Sequence, residues 1–339
     1  MRLDWPTFDE VWADLRATRS EPPGRSSGHR DRRRVYLASL EQSEQLFKAA
    51  SAIGLASRPL LAFYGLSQAG RAIAAAASAL DNGHWQLEGH GLTVRQEAGA
   101  LPQVAVTQHG KPQSSFRRLS DLLGSPALPD AKAPRPVSLG ELWDALPEGM
   151  RRPLRRDPER RPVMYFSRVA FAPHPLASGV VCGFPHWLSE SSQPDKDFKL
   201  FMSAYPHADG YLMVLAEPYT ELPGFTVSDR VDLTMHWDTG IPLATEAQQD
   251  ARIAEVMTDY GGSYYLAPAM PGADRPLHPL MAWWAVLYTL SMLARYEPAS
   301  WTDHIDVNKS QHAVALEALL TDALIAVPRI IHRTLNEVS

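Results

Sequence analysis

A chain of 339 residues, 45% hydrophobic and 21% charged, has the balance of a protein that buries a core in one large or two ordinary domains, which excludes a disordered chain. Its net charge of −5 excludes a generally basic nucleic-acid coat, and its single cysteine, Cys182, excludes an internal disulfide framework and a cysteine zinc cluster. With no signal-peptide pattern at the N-terminus, the expected location is a reducing cytoplasm.

Residues 1–34 are expected to be a flexible segment: one short amphipathic piece from Phe8 to Leu15, then SEPPGRSSGHRDRRR, whose Pro, Gly, Ser and charge read as a mobile linker. Order is expected from Val35, where Tyr36, Leu40, Phe47, Ala50 and Ile53 recur at helical spacing until Gly54. A second helix is predicted over Arg58 to Leu80, with Pro59 in a tolerated first-turn position, and the short link between the two implies an antiparallel hairpin. That second helix is apolar around nearly its whole circumference, so it reads as buried, and Arg71 reads as a guanidinium buried inside it.

Turn residues Asp81, Asn82 and Gly83 end this pattern, and the helical period is lost. Residues 35–123 are assigned to the N-terminal helical part and the start of an insertion. Residues 124–162 read as a Pro- and Arg-rich connector with a short helix from Leu139 to Leu146. Over 163–270 the runs VMYFSRVAF, GVVCGF, KLFMSAY, YLMVLAE, FTVSDRVDLTMHW and SYYLA are predicted strands of an antiparallel sheet. Helical character returns over 276–339. Leu280 to Ala294 is uncharged yet shorter than the roughly 18–20 apolar residues that span a bilayer, so it reads as a core helix. From Asn308, one face is defined by Leu316, Leu319, Leu320, Ala323, Leu324 and Val327, and Pro328 is expected to kink or interrupt it. The fold class is therefore α+β: a helical bundle formed by the N- and C-terminal helices, with an inserted, mainly antiparallel β-sheet region.

Phosphate-loop, dinucleotide, zincin and hydrolase-elbow motifs are missing, and no cofactor or metal is expected. His236 with Asp238 and His304 with Asp306 supply two potential ligands each, short of the three or four a metal needs. Ser67 lacks a neighbouring base by sequence and reads as a small residue for close helix approach. Six arginines, Arg151, Arg152, Arg155, Arg156, Arg160 and Arg161, fall within eleven residues, and Arg30, Arg32, Arg33 and Arg34 form a second cluster; either could follow phosphates or be a solvated surface. Arg71 admits two readings: an ion pair with Glu44 or Glu297, or a phosphate clamp backed by His84 or His90. Arg295 and His304 pose the same question, and Arg295 could instead satisfy the last carbonyls of its helix.

The segments RPLLAFYGLSQAGRAIAAA, HGL at His90 to Leu92 and MAWWAVLYTLSMLARYEPASW resemble the YaaC-like proteins, a bacterial group, over most of residues 35–335. This resemblance implies a family and not a reaction. More distantly, FYGLSQAGRAI followed by HGL resembles HEPN domains, small helical bundles many of which are RNases in toxin or phage-defence systems. That resemblance implies metal-independent cleavage, often across a dimer interface, with Arg71 holding the scissile phosphate and His90 moving the 2′-hydroxyl proton. The nuclease-type spacing of Arg, four to six residues and His occurs here only in strand-like runs, Arg168 to His174 and Arg230 to His236, and roughly three such matches arise by chance. The expected function is a HEPN-like RNA- or nucleotide-acting protein, a defence effector and homodimer. Its alternative is a non-catalytic module on an inactive HEPN-like scaffold that binds a protein or small ligand.

Overall fold

The computed structural model describes residues 7–95, 100–109, 111–158, 160–215 and 230–339. It divides between Arg155 and Arg156 and between Pro276 and Leu277 into two units, the second an insertion within the first.

The first unit opens with helix α1 (Phe8–Ser20), begun by a reciprocal cap between Thr7 and Glu10. Val11, Trp12 and Leu15 bury one face, and the Trp12 ring meets Phe47 at 5.6 Å. Over the described residues, the expectation of a flexible N-terminal segment is therefore corrected. The reason is the apolar i, i+1, i+4 pattern behind that cap, which outweighs the polar run after it. That run contains the short turn of helix α2 (Arg25–Gly28), and helix α3 (Arg30–Ala52) begins five residues before Val35.

Helix α4 (Arg58–Ala76) packs against α3 with little space between the backbones. A Cβ on Gly65 would lie 2.7 Å from the Phe47 ring, and one on Gly70 would lie 2.7 Å from Trp284. The helix stops at Ala76, short of Leu80, and its end is gripped by Arg32. This side chain is 3% exposed and donates to the carbonyls of Ala77 (3.0 Å), Ala75 (3.4 Å) and Leu80, with its guanidinium 5.5 Å from the Trp85 ring centre. The buried guanidinium of this hairpin is thus Arg32.

Three antiparallel strands follow, β1 (Leu92–Arg95), β2 (Ala105–Gln108) and β3 (Val137–Ser138), with helices α5 (Ser115–Leu122) and α6 (Leu139–Asp144). Residues 124–155 thus carry β3 and α6 of the first unit, and connector character begins only at Arg156.

The second unit is a six-stranded antiparallel sheet. Its strands are β4 (Met164–Val169), β5 (Leu176–Pro185), β6 (Tyr211–Leu215), β7 (Arg230–Asp238), β8 (Thr258–Tyr260) and β9 (Ser263–Leu266), in spatial order β6-β7-β5-β4-β9-β8. Helices α7 (Trp187–Glu190), α8 (Pro194–Met202) and α9 (Glu246–Val256) accompany it. Phe166, Ala177, Val181, Met235 and Trp237 line one face with Phe198 and Phe201 of α8 and Ile253 of α9. The run KLFMSAY, expected as a strand, lies largely in α8. Pro194 at its first turn, Asp195 and Asp197 near the positive helix end, and Phe198, Phe201 and Met202 on one side favour the helix. Residues 216–217 and 225–229 of the predicted strands lie outside the described residues.

The chain returns to the first unit with helices α10 (Pro279–Tyr296), α11 (Pro298–Ile305) and α12 (Ala313–Val338). α4 packs against α3, α10 and α12, and α1 against α3 and α12. The fold is α+β. Pro328 does not interrupt α12: it removes one backbone donor, but Val327 and Ile331 around it are fully buried and hold the helix in place. Among the described residues no helix is long and apolar enough to cross a membrane.

Candidate anion-binding site

α4 is buried on most of its circumference, but Tyr64, Gln68 and Arg71, spaced four and three residues apart, share a less buried stripe. Arg71 is exposed, which corrects the expectation of a buried guanidinium: the apolar wall of α4 turns toward α3, α10 and α12 and leaves this stripe outside. Among the described residues Arg71 has no ion pair. Glu44, its expected partner, is taken by Arg16 and by Lys48 at 2.6 Å.

His90 reaches the same neighbourhood from the loop after α4. Its backbone is pinned: Phe116 N donates to His90 O (3.2 Å), and His109 N donates to Gly91 O (3.0 Å). Gly91 has φ +87°, and a Cβ there would lie 2.8 Å from Ser114 Oγ, so the turn that presents His90 requires glycine. The imidazole packs among Phe63, Tyr288 and Tyr64, with ring centres at 5.3, 5.7 and 6.5 Å. Its Nδ1 is buried without a hydrogen-bond partner. Burial first, then the charges of Arg295, Arg71 and His109, hold its pKa below the ordinary imidazole value.

Arg295, in the last turn of α10, donates to Tyr64 Oη at 3.1 Å and lies 5.0 Å from the Tyr296 ring centre. Among the described residues it too lacks a carboxylate partner. Tyr288 donates to Leu92 O at 2.8 Å, and burial, then the neighbouring phenols of Tyr296 and Tyr64, raise its pKa. Two arginines, two histidines and three tyrosines from α4, α10 and the β1–β2 region thus meet in one place. The electrostatic neighbours of His90 are all basic. Such a cluster repels cations and attracts an anion.

The other expected site residues lie elsewhere. His84 sits in the turn from Asp81, where its carbonyl accepts from Arg118 at 2.8 Å, and among the described residues no hydrogen bond or ion pair joins it to Arg71 or His90. His304 neighbours Ser300 and Asp303 of its own helix, and burial lowers its pKa. Arg151 and Arg152 are exposed and act electrostatically on Asp322 of α12, while Arg155 bonds the buried Asp144 at 3.1 Å. Arg156 belongs to the second unit. Asp238 and Asp306 accept from the backbone N–H of Gly240 and Asn308 at 2.9 and 2.8 Å, stabilising turns. Among the described residues no group of three or more His, Cys, Asp or Glu could hold a metal ion.

Of the residues singled out in the sequence, Arg71, His90 and Arg295 come together here; Tyr64, His109, Tyr288 and Tyr296, which join them, were not among those. Tyr64 was available as the residue two turns before Arg71 on one helix face; His109 depends on the β1–β2 pairing, which no local pattern announces.

The class these features define is an α+β protein whose helical unit carries a cationic site in which, among the described residues, Arg71 and Arg295 have no carboxylate partner. A family model for YaaC-like proteins matches residues 16–335, nearly the whole chain, and the chain belongs to that family. No curated protein and no solved structure matches it.

Proposed function

We propose that this chain is a HEPN-like protein acting on RNA or a nucleotide, a metal-independent ribonuclease of the bacterial cytoplasm and an effector in defence. One observation carries the reading: Arg71 and Arg295 stand beside His90, and among the described residues neither has a carboxylate partner. Arginines kept in this way retain their donors for phosphate oxygens. A depressed imidazole pKa leaves His90 neutral near pH 7 and able to accept a proton.

In the proposed reaction, Arg71 and Arg295 hold the non-bridging oxygens of the scissile phosphate. His90 takes the 2′-hydroxyl proton as the 2′-oxygen bonds to phosphorus. The phosphorus–O5′ bond breaks, and the leaving oxygen takes a proton from solvent, giving a 2′,3′-cyclic phosphate and a 5′-hydroxyl end. The arginines compensate the charge that builds on the phosphate oxygens.

The test is incubation of purified protein with tRNA and with total RNA in the presence of a chelator, comparing wild type with Arg71→Ala and His90→Ala. Cleavage to cyclic-phosphate ends by wild type, lost in both folded variants, is expected. Equal cleavage by all three would remove these residues from the mechanism. Salt-dependent binding without cleavage would favour the non-catalytic binding module.

A further inference from the structure

The cationic cluster has an aromatic rim that the cleavage step does not use. Tyr296 ends α10 with its side chain open to solvent, 63% exposed. The Arg295 guanidinium lies 5.0 Å from the ring centre and donates to Tyr64 Oη at 3.1 Å. That bond uses one of five guanidinium donors. Arg295 is therefore a pre-oriented cation directly beside an exposed aromatic surface. Phosphate and base are joined by a single ribose in a nucleotide, so a groove that tracks phosphates and offers such a ring matches a nucleotide on both counts.

We propose that this site takes an unpaired nucleotide, with the base stacked on the exposed face of Tyr296 and the adjoining phosphate on Arg295 and Arg71. The proposal rests on the reading of the cluster as a phosphate site and adds the class of substrate: single-stranded RNA, or a free nucleotide of the same chemistry, in place of a duplex. In a duplex each base face is already covered by its neighbours, and A-form geometry offers the protein mainly phosphates and 2′-hydroxyls. Tyr296 has no such surface to stack on there. Selectivity for unpaired strands then comes from the ring, and affinity common to all nucleic acids from the arginines.

The test measures binding by fluorescence anisotropy to three probes of equal length: single-stranded oligoadenylate, the same strand paired in a duplex, and a ribose-phosphate strand without bases. 5′-AMP serves as competitor. Wild type is expected to favour oligoadenylate over both other probes. Tyr296→Ala should weaken oligoadenylate binding by about tenfold, the range for losing one stacked base, and leave the abasic strand unchanged, while Tyr296→Phe should bind as wild type. Competition by 5′-AMP that depends on Tyr296 would identify a free nucleotide as the source of the same chemistry. Equal affinity for all three probes with no effect of Tyr296→Ala would overturn the stacking proposal and leave the phosphate site standing. No affinity of wild type for any probe would overturn both.

Discussion

Arginine serves opposite ends in two regions of this molecule. In the inserted unit Arg168 is held by Glu246 at 3.0 Å and Asp250 at 2.7 Å, and Arg161 lies 4.6 Å from the Phe201 ring centre. On the open stripe of the helical unit, Arg71 and Arg295 meet imidazoles and phenols. The first arrangement satisfies its charge with groups of the same unit; the second leaves charge facing outward. A count of arginines along the chain points to the segment from Arg151 to Arg161, yet local composition does not reveal which guanidinia already have a carboxylate.

Replacing His90 should have the largest effect, because it removes the proton acceptor and keeps the fold: His90→Ala is expected to slow RNA cleavage by about 10²–10⁴-fold. Its pH profile sharpens the point. Since burial and neighbouring cations depress its pKa, activity should rise with pH through a midpoint below the ordinary imidazole value of about 6.5 and stay level at neutrality. A midpoint above that value would contradict the cationic surroundings.

Arg32 supplies the contrast within the helical unit, a guanidinium committed to the backbone. Arg32→Met leaves three carbonyls at the end of α4 without their donor and should cost about 3 kcal/mol in chemical unfolding, with RNA affinity per folded molecule unchanged.

In the inserted unit the same scale of effect comes from a histidine. Burial pushes the His207 pKa down to about 4, and both its ring nitrogens are buried without partners. The unfolded chain binds a proton there at about pH 6.5 and the folded chain only near 4, so this stability is complete above the first value and is lost as pH falls toward the second. The loss should reach ~3 kcal/mol in wild type, and His207→Leu should abolish that part of the acid dependence. Asp144→Asn, which weakens the partner of Arg155, should destabilise by about 2 kcal/mol without changing RNA affinity. The smallest change is expected for Arg168→Ala, at most about 1 kcal/mol, because its carboxylate partners are substantially exposed.

The core helices were legible because their signals are local. The apolar run from Leu280 to Ala294 and the spacing of Tyr36, Leu40 and Phe47 survive any tertiary context. α8 was misread because Leu200, Phe201 and Met202 form a short apolar run compatible with either period, and the decisive cues, Pro194 and the acidic first turn, lie before it. For the site, Arg71 and His90 stood out as chemistry on or after an apolar helix. Their burial was misjudged because helix periodicity gives a circumference without saying which neighbours cover it. His109 and Tyr296 join only when β1 pairs with β2 and the end of α10 reaches α4, contacts between residues far apart in the chain.

The central claim, that Arg71 and Arg295 on the helical unit grip an external phosphate, is tested most directly by the salt dependence of affinity for a single-stranded RNA, comparing wild type with the Arg71→Ala, Arg295→Ala double variant. Removing two phosphate contacts should lower the slope of log affinity against log salt by about 1.4, at roughly 0.7 per contact, and weaken binding most at low salt. Identical slopes for the two proteins would contradict the account.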